Sequence, residues 1–399
     1  MLRLFARPPA FRWSGAFPLL LIVGALAGLT LPACRRSTPA SPQIRLSHAG
    51  ANPSAATIEI TGLSSEELSA LRARTPSPVE WQAIVRVTVV ATRPLTATPA
   101  VVAPVAGTYA ATDRGIVFTP MFGLDPGQPY AVTVNHRGGQ LTEVVSLPKP
   151  NIAPTTVVDR LYPSADIVPE NQLRLYVHFS ASMGRRGGLD YIRLLDADGH
   201  EVKGAFLPLD AEFWNGDRTR FTVFFDPGRV KRGVKPNEDL GRSLTAGRRY
   251  TLVVSRDWPD AQGLPLKEEF RRTFTAGPED TRPLDPKTWR VQAPSGGTRD
   301  PLTVAFPEPL DHGLLVRALG VSTAGGAAVN GDTGVDSQET RWTFTPREPW
   351  PAGEYRIVVM TILEDLAGNR IGRAFEVDRF DRIDQQAAAD TITLPFRIR

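Results

Sequence analysis

Cysteine is almost absent from this sequence: Cys34 is the only one among 399 residues. A single cysteine can form neither an intramolecular disulfide nor a thiolate metal cluster. The chain also lacks the run of about 20 apolar residues that a membrane-spanning helix requires, because its longest uncharged apolar run, residues 17–31, has 15. Buried hydrophobic cores must therefore hold the domains together, and this length suits two or three of them.

Patterns that carry catalysis or nucleotide binding are missing as well. The five histidines are scattered, and no pair has a metal-ligand spacing. Neither a nucleophile elbow around a serine nor a glycine-rich phosphate loop occurs. We therefore predict no catalytic residue, no metal site, no cofactor and no enzymatic activity.

Two acidic turns deserve separate consideration as calcium sites. The segment 196–199 (DADG) resembles the start of a calcium loop, but the twelfth position of that loop is Leu207, where a glutamate is required. A hairpin turn is the preferred interpretation. Asp365 and Asn369 lie in an Asp-x-x-Gly turn; carboxylates at the ends of a sandwich can bind calcium, but a turn is again preferred.

The charge balance gives no reason to expect a nucleic-acid partner. The formal net charge is +4, and the N-terminal segment predicted to be removed contains three arginines and no acid, which leaves 4 − 3 = +1. The densest basic patch, Arg229–Lys235, is followed at once by Glu238 and Asp239. We interpret it as a solvated loop, with contact to anionic lipid headgroups or envelope polymers as the alternative.

The N-terminus has the features of an export signal. Residues 1–16 are basic, residues 17–31 are apolar, and the run ends in Leu31-Pro32-Ala33-Cys34. This ending resembles the bacterial lipobox. The resemblance implies a diacylglyceryl group on Cys34, cleavage after Ala33, and membrane lipid as a partner. The alternatives are an ordinary cleaved signal, or a short membrane anchor with an incidental cysteine. Arg35 after the cysteine favours an outer-membrane or surface location.

Three stretches downstream share one layout, namely residues 115–134, 220–254 and 341–360. Each begins with an alternating strand, turns at Pro and Gly, and reaches a tyrosine that opens a second apolar strand. Those tyrosines are Tyr130, Tyr250 and Tyr355. Their spacing fits the corner of an immunoglobulin-type sandwich, where the hydroxyl bonds to upstream backbone.

The repeated pattern resembles the bacterial Ig-like domains found in S-layer and other surface proteins. The resemblance implies an all-β chain of three tandem immunoglobulin-like sandwiches after a lipoprotein signal peptide. A short helix with a capping box at Ser64 and Glu67 is expected in the first domain. The predicted division is 1–33 signal peptide, 34–44 lipidated cysteine and tether, and Ig-like domains at 45–150, 151–277 and 278–399, the last with an added C-terminal strand.

These features favour a non-enzymatic cell-envelope lipoprotein that acts as a structural spacer or protein-interaction module. One alternative is a carbohydrate- or peptidoglycan-binding module that stacks sugars on loop tryptophans such as Trp214 and Trp258, although filling a sandwich core is the commoner fate of such residues. The other alternative is an accessory part of an envelope hydrolase. An envelope protein or polysaccharide is thus the expected partner.

Overall fold

The computed structural model describes residues 41–47, 55–90, 103–185, 187–209, 211–230, 241–336, 338–375 and 390–399. Cys34 and the lipobox lie outside these residues, so their assignments stay predictions. In the described part of the chain, no helix is long and apolar enough to cross a membrane. Strands dominate there and form six sheets, in which every strand pair but one is antiparallel. The predicted all-β fold of immunoglobulin-like sandwiches is confirmed.

The first sandwich encloses its own core between two sheets. Its strands are β1 (Gln43–Ser47), β2 (Thr57–Thr61), β3 (Val85–Val89), β4 (Gly107–Ala111), β5 (Gly115–Pro120), β6 (Tyr130–His136) and β7 (Gly139–Val145). One sheet has the order β1-β2-β5-β4 and the other β3-β6-β7. Ile116 and Phe118 of β5 share the buried face, as their alternation predicts. Strand β1 begins at Gln43, inside the segment expected to be tether.

Two capped helices connect the two sheets of the first sandwich. The predicted helix is α1 (Ser65–Arg74), with the capping box between Ser64 and Glu67 in place. A second helix, α2 (Pro78–Ile84), was not predicted. Its signal was present in the sequence, because Ser77 and Glu80 form the same box and proline occupies the first turn.

The second sandwich encloses its own core, to which Leu366 of the third sandwich also belongs. Its elements are β8 (Val158–Tyr162), β9 (Ile167–Pro169), β10 (Arg174–Phe179), a 3-10 turn (Gly188–Tyr191), β11 (Ile192–Leu195), β12 (Phe213–Trp214), β13 (Arg220–Phe224), α3 (Pro227–Val230), β14 (Arg249–Val254) and β15 (Phe270–Gly277). The sheet orders are β12-β13-β10-β8 and β11-β14-β15-β9. The segment 196–200 is a hairpin turn, as predicted, with Asp196 donating its N–H to the His200 carbonyl.

The third sandwich repeats this plan with shorter connections. Its elements are a 3-10 turn (Pro286–Thr288), β16 (Arg290–Gln292), β17 (Leu302–Ala305), α4 (His312–Ala318), β18 (Leu319–Thr323), β19 (Gly331–Val335), β20 (Arg341–Pro346), β21 (Gly353–Met360) and β22 (Thr391–Ile398). The sheet orders are β16-β17-β20-β19 and β18-β21-β22. The C-terminal run is thus the added strand that its alternation predicted. Phe375 lies in no strand, and residues 376 and 377 fall outside the described residues.

The loop tryptophans fill the cores. Trp258 is 0% exposed and packs between Phe179, Tyr191 and Phe221. Trp214 is half-buried against the same ring cluster. Stacking a sugar requires an exposed aromatic face, so the structure does not support a sugar platform at these two tryptophans.

Candidate functional site at the joints between sandwiches

Consecutive sandwiches contact each other, and equivalent turns before β13 and β20 contribute side chains to these contacts. We call the contact between the first and second sandwiches the inner joint, and that between the second and third the outer joint. Strand β10 relates them: Arg174 at its start contacts the third sandwich, whereas Arg185, six residues beyond its end, contacts the first. Tyr176 and His178, on the same face of β10 as Arg174, also contact the third sandwich, so the outer joint runs along this strand.

The same tight turn precedes β13 and β20. Asn215 Oδ1 accepts the N–H of Thr219, and Asp336 Oδ1 accepts the N–H of Thr340 in the same way. The residue just before each threonine, Arg218 or Glu339, has a left-handed backbone (φ 56° and 55°). That conformation costs a non-glycine residue roughly 1–2 kcal/mol. Both strained positions bring a charged side chain to a joint. Backbone strain of this kind usually persists where it serves a function.

In the outer joint, Glu339 is clamped by the second sandwich. Its carboxylate is 0% exposed and accepts two hydrogen bonds from Ser164, one from the backbone N–H and one from the hydroxyl, both at 2.7 Å. Burial raises the pKa of Glu339, while the hydrogen bonds from Ser164 and the positive charge of Arg272 oppose the rise. The guanidinium of Arg272 is fixed by carbonyl oxygens of Leu161, Pro163, Ser164 and Ala165. A buried charge is stable only when it is paired and hydrogen-bonded in this way.

A second buried network links Arg174 of the second sandwich to two carboxylates of the third. Its Nε lies 3.0 Å from Asp311 Oδ2, and its other arm bonds to Glu364. The Tyr176 hydroxyl donates to the Asp311 carboxylate at 2.8 Å, and burial together with that carboxylate raises the pKa of Tyr176. Asp311 also caps α4 by accepting the Leu314 N–H at 2.9 Å. One carboxylate thus fixes both a helix of the third sandwich and the position of the second.

His312 completes the outer joint by packing. Its ring stacks on Tyr162 and stands edge-on to His178. Burial, and then the neighbouring His178, lower the pKa of His312 to about 4, so the ring is neutral at pH 7. His178 lies within β10, and His312 is the first residue of α4.

Three carboxylates gather where the linker meets the third sandwich. Oxygens of Asp280, Glu308 and Asp365 lie within 4.8 Å of one another. Burial, and then Asp280, raise the pKa of Glu308 to about 7, and burial raises that of Asp365 to about 6. Asp365 accepts the Ala367 and Asn369 N–H groups and the Asn369 side-chain amide, which makes it an Asx turn. The cluster reduces its own repulsion by retaining a proton near neutral pH.

The inner joint differs from the outer joint because a cleft of about 390 Å³ remains there. Arg185 Nε and Arg218 Nη1 lie 3.9 and 4.0 Å from the same oxygen, Asp125 Oδ1, which is beyond hydrogen-bond distance. The Arg185 guanidinium lies over the Phe122 ring, 4.6 Å from its centre. A β-carbon on Gly263 would lie 1.9 Å from the Pro126 carbonyl oxygen, so backbone meets backbone here.

Each of the three predicted tyrosines bonds through its hydroxyl to backbone upstream of its strand. Tyr130 accepts the Asp125 N–H at 2.9 Å, and Tyr250 accepts the Thr245 N–H at 3.0 Å. Tyr355 instead donates to the Pro351 carbonyl at 3.0 Å. The first of these bonds fixes the backbone of the aspartate that faces the inner joint.

The predicted basic loop is only partly described. Its first residue, Arg229, is buried and donates to carbonyl oxygens of Lys203, Gly241 and Arg242. The prediction of a solvated position is therefore wrong for Arg229. Its guanidinium instead holds the backbone of residues 203, 241 and 242 together. Residues 231–240 lie outside the described part of the chain.

No protein-family model matches the sequence, and no curated protein matches it either. Among solved structures, the chain is similar to titin Ig tandem domains A164-A165 (10% identity, TM-score 0.20, covering 60% of this chain and 98% of that one). It is also similar to chicken CNTN1 FN1-FN3 domains (12% identity, TM-score 0.19, 90% and 100%). A third similar structure is domains 4-9 of the surface layer protein SbsC (11% identity, TM-score 0.20, 72% and 36%). Identities and TM-scores this low carry no inference about function.

Proposed function

We propose that this protein is a lipid-anchored spacer of the bacterial cell envelope, which carries an interaction surface away from the membrane. The observation that carries the proposal is the outer joint, where Glu339, Asp311 and Glu364 are buried between two sandwiches. Separating the sandwiches would break the bonds of Ser164 to Glu339 and of Arg174 to Asp311 and Glu364, and the loss of such buried charge-assisted bonds is costly. The second and third sandwiches therefore form a stiff unit.

The chain path supports the same function. In the first sandwich, β1 begins beside Thr61 and Gly115, whereas the Pro120 end of β5 leads to Phe122 and the inner joint. The tether thus enters at the end opposite the second sandwich. A lipid on Cys34 would place the first sandwich next to the membrane and the stiff outer unit away from it. Two or more acyl chains on one anchor are needed for stable attachment.

Metabolic labelling with palmitate tests the anchor directly. We expect the wild-type protein to incorporate label and to sediment with the envelope, and Cys34→Ala to do neither. Ser37→Ala, a conservative change in the same tether, is the matched control and should behave as wild type. Label that persists in Cys34→Ala would overturn the anchor.

A further inference from the structure

Two histidines lie inside the outer joint, one on each side of the contact. His178 lies in β10 of the second sandwich, and His312 begins α4 of the third. Among the described residues, neither His178 Nε2 nor His312 Nδ1 has a hydrogen-bond partner, although both atoms are buried. Nearly all buried polar groups in proteins are paired, so two exceptions at one interface call for an explanation.

The two rings are packed in a way that suits the neutral imidazole. The ring of His312 stacks on Tyr162 with the ring centres 3.3 Å apart, and Tyr162 stands edge-on to His178 at 5.2 Å. The side chain of His312 is only 12% exposed. A second proton would make both nitrogens of an imidazole donors and would place a positive charge where water is excluded. Protonation is therefore costly while the two sandwiches are in contact.

Positive charge from the second sandwich adds to this cost. Arg220 on β13 and Arg160 on β8 both oppose a proton on His178 and on His312. The Arg220 guanidinium lies over the Tyr176 ring, 5.7 Å from its centre. His178 itself opposes a proton on His312, so the two rings also act against each other when both are charged.

The acidic groups near the rings do not offset these effects. Glu339 Oε1 lies 3.9 Å from His312 Nδ1, which is beyond hydrogen-bond distance, and both oxygens of Glu339 accept hydrogen bonds from Ser164. Asp159 favours a proton on His178, but burial and Arg220 have larger effects. The charged and titratable groups that face the two rings are thus Asp159, Arg160 and Tyr162 of β8, Tyr176 of β10, Arg220 of β13, and Glu339 of the turn before β20.

The direction of the pH effect follows from these surroundings. Burial comes first among the causes that lower the pKa of His178 and of His312, the latter to about 4. A histidine in water has a pKa of about 6.5, and separation of the sandwiches would return the rings to water. Their contribution to the closed joint is therefore complete above pH 6.5 and is lost as the pH falls through about 4. Glu339 has the opposite sign, because burial raises its pKa and a proton on it favours the closed joint. Two rings oppose this one carboxyl group.

We propose that the outer joint is an acid-sensitive contact, in which protonation of His178 and His312 separates the third sandwich from the second when the surroundings become acidic. At neutral pH both rings are neutral and the outer unit stays stiff. In acid the charged rings become hydrated as the sandwiches part, while each sandwich keeps its own core. The acid response goes beyond the spacer role and does not depend on the lipid anchor.

Spin-label distances measured at pH 7.5 and at pH 4.5 test the proposal. The labels are attached to cysteines that replace Arg249 and Glu354, one exposed position on each sandwich, in the full chain carrying Cys34→Ala. We expect a narrow distance distribution at pH 7.5 and a broader one at pH 4.5. His312 alone should shift the equilibrium toward separation on the order of a hundredfold, about tenfold for each pH unit between about 6.5 and 4.5. The circular dichroism spectrum should be the same at both pH values.

Variants of His312 assign the response to this ring. His312→Phe keeps an aromatic ring for Tyr162 but takes up no proton, so its distribution should broaden far less than that of the wild type. His312→Asn, which is smaller and does not titrate, should behave in the same way and replaces the phenylalanine variant if that variant does not fold. His200→Gln removes an exposed histidine from the hairpin turn of the second sandwich and is the control, which should broaden as the wild type does.

Three results would overturn the proposal. A wild-type distribution that is as narrow at pH 4.5 as at pH 7.5 would eliminate the opening. Equal broadening of the wild type and the His312 variant would eliminate His312 as the group that responds to acid. Loss of the folded circular dichroism signal at pH 4.5 would show that acid unfolds the sandwiches instead of separating them. A palmitate experiment that fails would not affect any of these outcomes.

Discussion

Replacing Glu339 with glycine separates the backbone cost of this residue from the bonds that its side chain makes. Glycine relieves the left-handed strain, roughly 1–2 kcal/mol, but adds about 0.5–1 kcal/mol of entropy cost. The same two backbone terms apply to Arg218→Gly, because the two turns are equivalent. The difference in unfolding free energy between the two variants therefore excludes the backbone terms and compares what the Glu339 and Arg218 side chains contribute. Two hydrogen bonds to a charged acceptor, both from Ser164, contribute about 3–6 kcal/mol together.

Urea unfolding followed by tryptophan fluorescence measures this difference, because Trp258 reports on the second core and Trp342 on the third. We expect Arg218→Gly to unfold at the wild-type urea concentration or slightly above it. Glu339→Gly should lower the midpoint of the second and third sandwiches by about 1–3 M, for a denaturant dependence of about 2 kcal/mol per molar. Equal midpoints for the two variants would refute the idea that Glu339 holds the outer joint.

Three further changes test other parts of the structure. The pKa of Glu308 is raised from 4.5 to about 7, so its stabilising contribution is complete below pH 4.5 and is lost as the pH rises through 7. Glu308→Gln should therefore lose less unfolding free energy than the wild type between pH 5 and pH 8, as measured by urea titration. An equal loss in the two proteins would contradict the raised pKa. Gly263→Ala should lower the melting temperature more than Gly199→Ala. Both glycines have a positive φ, but only Gly263 of the two has backbone within 4 Å of the added carbon. Equal melting temperatures for the two variants would show that the inner joint opens without cost. Trp258→Ala should cost about 3–5 kcal/mol of unfolding free energy in urea, because its side chain is fully buried in the second core; an unchanged unfolding midpoint would contradict that position.

Much of the fold could be predicted because local signals agree with tertiary structure. The alternation of apolar and polar residues predicted β5, β13 and β20 correctly, because one face of each strand is buried. The Asp-x-x-Gly repeats at Asp260 and Asp365 form equivalent turns, each with its N–H bonded to a carbonyl four residues ahead. These patterns are short-range, so the sequence alone contains them.

The joints could not be predicted in the same way. Ser164 and Glu339 are 175 residues apart, and nothing local marks them as partners. The strained positions carry arginine and glutamate, where sequence rules anticipate glycine or asparagine for a left-handed turn. Aligning Met183 with Leu310, four residues after Phe179 and Phe306, would have paired the segments that follow, and those segments form the joints. Arg218 and Glu339 carry opposite charges, so such an alignment would still not have shown that both residues lie at joints.

Spin-label distances across the two joints test the central claim, that the outer unit is stiff and the inner joint is the adjustable one. Labels at Glu143, Arg249 and Glu354, one exposed position on each sandwich, can be introduced as cysteines into Cys34→Ala. At pH 7.5 we expect a narrow distance distribution between Arg249 and Glu354. The distribution between Glu143 and Arg249 should be broader, because the arginines of the inner joint lie beyond hydrogen-bond distance of Asp125. A broad distribution across the outer joint in the wild-type background would contradict the account.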